Sequence, residues 1–208
     1  MSFLKENECR IFFLRHFDHQ GNILLPQEIE RAQNLGQGLK KRGFIVKAAY
    51  SSPTPRALIS ILEVLKGMFK DEGINFSIHT DSRLIDLGSE LRERLIQEAK
   101  EKKIPLEEYI FQAEWFRERL EKRAEEGAQV LEEIADKNIG KTVLVCSHGV
   151  LMEIFLQALK GGKISRPKNF IEKGQIVELV FEKINYLDGK GGFRKISILK
   201  KEKPFLSL

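Results

Sequence analysis

Cysteine is scarce in this sequence: Cys9 and Cys146 are the only two in 208 residues. Two thiols build no disulfide framework, and both sit in or beside apolar runs. They read as buried free thiols of a protein kept in a reducing cytosol. Long hydrophobic runs are also missing. The opening MSFLKENECR has no extended apolar stretch of a secretory leader. No later run approaches the ~18 apolar residues of a membrane span. The expectation is a cytoplasmic protein with no membrane partner. An excess of one charge is lacking too: 35 basic against 30 acidic residues leave a formal charge of +5, mixed along the chain rather than gathered on one stripe. That balance suits small anions and argues against a nucleic-acid partner. With no internal repeat and no low-complexity linker, residues 1–208 read as a single domain long enough to bury a sizeable core.

What is present alternates between strand and helix signals. Residues 9–14 read as a buried strand. In the segment from Leu25 to Gly43, Ile29, Ala32, Leu35 and Leu39 recur at helical spacing, with Pro26 near the first turn and Gly43 as the stop. FIVKAAY, residues 44–50, is a second strand; a helix follows SSPTPR and closes at Gly73; INFSIHT, residues 74–80, is a third strand. Residues 89–137 are rich in Glu, Lys and Arg, and Pro105 breaks them into two or three helices whose charge reads as a solvated face. Val143 to Cys146 form another apolar strand, followed by a helix and by two alternating runs around NYLDGKGG, a closing hairpin. GKGG lacks the spacing and the strand-to-helix context of a phosphate loop. The order predicts an α/β protein: a three-layer α/β/α sandwich on a mainly parallel, mixed sheet, with 89–137 as a helical insertion.

Ligands of such sheets bind outside the carboxyl ends of the strands. Three polar motifs fall there. Arg15-His16 ends the first strand, SSPTPR after the second delivers Arg56, and Ser147-His148-Gly149 follows the strand at 143–146. Each alone suits a structural role. Two arginines and two histidines at one sheet edge are costly to bury without a ligand. Arginine offers forked donors matched to phosphate oxygens, and a neutral imidazole can attack phosphorus and carry the phosphoryl group. A second imidazole can steady the equatorial oxygens, and the helix start after Gly149 offers backbone N–H groups. These residues describe a phosphate site that needs no metal. Reading His16, Asp18 and His19 as metal ligands is poorer, since no third-ligand pattern accompanies them.

LRHFDHQGN, SSPTPRA and CSHGVLMEIFLQAL, in that order, resemble the histidine phosphatase superfamily, also called phosphoglycerate mutase-like. The family's first motif is Arg-His-Gly with an Asn six residues after the His, where Asn22 stands here. Its second, Ser-Ser-Pro-x-x-Arg-Ala, is met in full by Ser51 to Ala57, and its third by Ser147 to Gly149. The resemblance implies that His16 is the phosphorylated nucleophile and that Arg15, Arg56 and His148 complete the phosphate pocket. Asn22, Ser147 and Gly149 are implied as substrate contacts, and no cofactor is implied. The family's proton-donating carboxyl falls on Asp86 in SRLID, with Glu90 in reserve; a helix-capping carboxylate is the plain alternative for either. One departure stands out. The family's Gly after the nucleophile is Phe17, which predicts a narrowed pocket or a different backbone angle. His19 reads as a loop residue that could line the substrate mouth, and His79 as a residue on the polar face of its strand.

The mutase branch resembles itself in paired arginines and a tryptophan in the first loop. This chain has FDHQGN there and no adjacent Arg-Arg pair. The expected function is therefore a phosphomonoesterase acting through phosphohistidine on a small phosphorylated metabolite. A phosphoglycerate mutase-type phosphotransferase, a phosphoprotein phosphatase and a phosphate-binding pseudoenzyme are the alternatives. The exposed edge of the closing hairpin would allow a homodimer.

Overall fold

Along β1 (Glu8–Arg15) successive side chains enter two different cores. Cys9, Ile11 and Phe13 face one apolar cluster, and Phe12 and Leu14 face the other. A strand buried on both faces is apolar throughout, which is why 11–14 is a continuous run and not an alternation. The computed structural model describes residues 4–70, 72–85, 89–185 and 191–202. After β1 come a small ribbon of β2 (His19–Gln20) and β3 (Ile23–Leu24), then α1 (Pro26–Lys41), β4 (Val46–Ser51), α2 (Pro55–Met68) and β5 (Ile78–Thr80). The segment read as an insertion holds α3 (Ser89–Lys102), α4 (Leu106–Tyr109) and α5 (Arg117–Lys137). The chain ends with β6 (Thr142–Ser147), α6 (Gly149–Leu159), β7 (Ile176–Asn185) and β8 (Gly191–Glu202).

The six-stranded sheet runs β5-β4-β6-β1-β7-β8. Pairings from β5 to β1 are parallel; β7 and β8 join antiparallel at the far edge. The expected mainly parallel α/β architecture is what forms. Helices α1 and α2 cover the face reached by Phe12 and Leu14, while α5 and α6 cover the other. In β6 the same division sends Val143 and Val145 to one side and Leu144 and Cys146 to the other. Both cysteines are buried and free, and burial pushes the Cys9 thiol up to about 12. No helix among the described residues is long and apolar enough to cross a membrane.

Two expectations shrink. The third strand holds only Ile78 to Thr80, because Ile74 and Phe76 pack half-buried against the α2-side core instead of pairing with β4. Helix α2 stops at Met68, and a turn reaches Gly73, whose N–H donates to Phe69 O at 3.0 Å. The hairpin forms as read, although its turn at 186–190 lies outside the described residues.

Candidate active site

Strands β4, β6 and β1 are neighbours, and their registers align the three polar motifs. Arg15 sits opposite Ser147, and Ser51 opposite Cys146, so all three strands end at one level. There His16, Arg15, Arg56, His148 and Gly149 line a cavity of about 500 Å³. The His16 and His148 rings lie 5.1 Å apart, centre to centre.

The hydrogen bonds assign the tautomers. His16 Nδ1 is 2.8 Å from Phe17 O, a carbonyl that can only accept, so Nδ1 carries the proton and Nε2 keeps its lone pair. His148 Nδ1 lies 3.3 Å from Arg56 Nη2, a group that can only donate; the proton is therefore on Nε2, which donates to Ser52 Oγ at 2.9 Å. Burial drives both imidazoles down to about 3. For His16 the Phe17 carbonyl pulls the other way, and His148, Arg56 and Arg15 push further down. Both rings are neutral near pH 7.

Neighbouring groups hold this arrangement. Arg15 Nη1 donates to Ile171 O at 2.6 Å, and Ile171 N–H donates to the buried Glu153 carboxylate of α6 at 2.6 Å. Gly149 lets the guanidinium lie against the start of α6, since a Cβ there would fall 2.4 Å from Arg15 Cζ. Ser60 Oγ accepts from Phe17 N–H at 3.0 Å and donates to Arg56 O at 2.7 Å, tying the segment after the nucleophile to the first turn of α2.

Phe17 neither narrows the cavity nor takes a left-handed angle. Lys103 is the one non-glycine residue with positive φ among those described. The Phe17 ring is fully buried in the α1–α2 core, turned away from the cavity, and fits against Gly174. Gly174 has φ +75°, and a Cβ there would meet the ring at 2.5 Å. A phenylalanine is accommodated where the family has glycine because a glycine stands across from it.

The other sequence-read residues divide. His19 lines the cavity, its ring 5.2 Å from that of His16. Asp18 instead binds Lys173 Nζ at 2.6 Å, and His79 is exposed against Tyr50. Ser147 is fully buried with its hydroxyl donating to Leu84 O at 3.0 Å, so it braces the turn after β5. Asn22 is exposed beside Gly21, and it is Gly21 that lines the cavity. Glu90 is exposed on the first turn of α3 and does not line the cavity, and Asp86 lies outside the described residues. The charge-rich segment is more than a solvated face: Arg92, Leu95, Leu106, Glu107 and Ile110 all line the cavity, and Lys173 joins them from the loop before β7. The sequence carried no local signal for these.

The two neutral histidines predict an acid-sensitive fold. In the unfolded chain a histidine titrates near 6.5 and binds a proton that the folded site refuses until about pH 3. Between those values the unfolded state holds more protons, so stability is intact above pH 6.5 and falls as pH drops toward 3. Urea midpoints should fall from pH 7 to pH 4.5, and less so with saturating phosphate, because an anion beside His148 favours its cationic form. Midpoints that are flat across this range, or unaffected by phosphate, would contradict the neutral pair.

The model of the histidine phosphatase superfamily (branch 1) matches residues 12–186. Among solved structures, a phosphoglycerate mutase from Bacillus anthracis aligns with a TM-score of 0.58 at 21% identity, over 91% of this chain and 92% of that one. A phosphoserine phosphatase from Entamoeba histolytica, in complex with 3-phosphoglyceric acid, aligns at 0.56 and 19% identity over 93% and 98%. A mycobacterial glucosyl-3-phosphoglycerate phosphatase complexed with VO3 aligns at 0.55 and 15% over 88% and 96%. At these identities the likeness is one of fold. No curated protein matches this sequence.

Proposed function

Since the chain belongs to the histidine phosphatase superfamily, branch 1, we propose that it is a metal-independent phosphomonoesterase that works through a phosphohistidine on His16. The observation that carries this is the His16 ring. Its Nδ1–H is held by Phe17 O, which leaves the lone pair on Nε2, and the ring lines a cavity together with Arg15, Arg56 and His148. The arginines receive the phosphoryl oxygens as bidentate donors, and the N-terminal turn of α6 adds backbone N–H groups. Nε2 attacks phosphorus in line while a carboxyl group protonates the departing oxygen. Water then attacks the phosphohistidine, and inorganic phosphate leaves. The His148 Nε2–H points to Ser52, so a bound dianion gains a cationic His148 only by bringing in a proton; its negative charge favours that uptake.

A small phosphorylated metabolite suits the cavity. About 500 Å³ is room for a leaving group well beyond the phosphoryl unit, and Leu95, Leu106, Ile110 and Val150 give it an apolar side. Hydrolysis is preferred to mutase chemistry because FDHQGN stands where the mutase branch resembles itself in paired arginines and a tryptophan, and the sequence has no adjacent Arg-Arg pair. The test is phosphate release from an aryl phosphate with a chelator present. Sustained turnover is expected. Turnover abolished by the chelator would remove the metal-independent reading, and tight phosphate binding with no turnover would leave a binding module. Transfer to a phosphorylated sugar acid without net release would make the protein a mutase.

A further inference from the structure

Resting on the phosphatase reading, we infer that Glu107 is the carboxyl group that gives its proton to the leaving oxygen. Among the described residues that line the cavity, Glu107 is the one acid. Its Oε1 lies 3.8 Å from Arg15 Nη2, a guanidinium that receives the phosphoryl group in the proposed reaction. A carboxyl at that distance stands beside the ester being cleaved.

The surrounding contacts aim it there. Helix α4 follows Pro105, and the two residues after Glu107 are tied elsewhere. Glu108 Oε1 is 2.6 Å from Arg166 Nη2, and Tyr109 donates from its hydroxyl to Glu98 Oε2 at 2.7 Å. Leu106 and Ile110 flank Glu107 on the cavity wall and leave its carboxyl as the polar group of that wall. The side chain is 47% exposed, so solvent can reload it with a proton between turnovers.

The chemistry follows from the placement. A phosphoryl group on Arg15 brings the ester oxygen next to the carboxyl that is to deliver the proton. In the first step the Nε2–P bond forms and the P–O bond to the alcohol breaks. The electron pair left on the alcohol oxygen takes the Glu107 proton. In the second, water oxygen bonds to phosphorus, the N–P pair returns to His16, and a water proton passes to the Glu107 carboxylate. Both steps balance without a further reagent.

The test compares Glu107→Gln, Asp86→Asn and Glu90→Gln on two substrates, a simple alkyl phosphate and 2,4-dinitrophenyl phosphate. An alkoxide leaves poorly without a proton, whereas dinitrophenolate leaves unaided. For Glu107→Gln, kcat/KM on the alkyl ester should fall roughly 10²–10³-fold, the range of general acid catalysis, and at least tenfold more than on the dinitrophenyl ester. The same variant should show a burst of dinitrophenolate and a trapped phosphoenzyme, because loss of the base slows the second step. Equal losses on both esters, or no loss, would overturn the assignment. So would a leaving-group-dependent loss in Asp86→Asn or Glu90→Gln instead. The phosphoenzyme keeps the two readings apart: if wild type forms it while Glu107→Gln behaves like wild type, only Glu107 falls.

Discussion

His16→Ala is expected to lower turnover roughly 10⁵-fold or more, the scale on which removal of a covalent nucleophile acts. The prediction rests on one ring with two distinct nitrogens. Phe17 O fixes the protonated Nδ1, so the lone pair can only be at Nε2, the nitrogen left for attack. Burial keeps the ring neutral, with a titration near 3, so the nucleophile is present in its reactive form at neutral pH. Alanine removes it and leaves Arg15, Arg56 and His148 in place. The variant should therefore still bind phosphate or vanadate. Its fold should survive as well, with the Phe17 carbonyl left unpartnered at about 1–3 kcal/mol. It should also lose stability less steeply below pH 6.5, because one of the two proton-refusing imidazoles is gone. Steady-state kinetics, oxyanion binding and urea melts check the three parts separately. Substantial turnover by the variant would remove His16 from the chemistry.

Gly149→Ala should also cost activity while removing no polar side chain. The added methyl would lie 2.4 to 2.7 Å from Cζ, Nε and Nη1 of Arg15, too close for any real contact. The atoms it meets are the far end of a long side chain, so the guanidinium can swing aside and the fold can stand. In doing so it leaves the Ile171 carbonyl and the phosphoryl position together. Misplacing a binding group by about 1 Å can cost on the order of 10² in rate, and we expect kcat/KM to fall by that much or more. The thermal midpoint should move by only a few degrees. An equal loss of stability and activity would mean that the glycine serves packing, and an unchanged kcat/KM would mean that Arg15 has no part in phosphate recognition.

The parts of the site that were legible in the sequence are local ones. Arg15-His16, Ser51 to Arg56 and Ser147 to Gly149 each continue a strand, so a run of core residues announces where the strand ends and the polar tip begins. Parallel α/β order then brings those ends together. What could not be read depends on tertiary packing. Glu107 and Arg92 sit among Glu, Lys and Arg of similar spacing, and only the fold turns these two toward a cavity while others face water. Lys173 is more than 150 residues from the loop it binds. Phe17 was legible as an oddity, but its resolution was not: the ring turns into the core because Gly174 makes room, and nothing in FDHQGN points to that partner. Ser147 illustrates the reverse. It belongs to the motif, yet its hydroxyl braces Leu84 from inside the protein.

The most direct test of the account is to mix the enzyme with an aryl phosphate, quench within a turnover, and locate the bound phosphoryl group by mass spectrometry. The account predicts a phosphate on His16 that survives alkali and is lost in acid, as a phosphoimidazole should be. A phosphoryl group on any other residue, or rapid turnover with no phosphoenzyme at all, would contradict it.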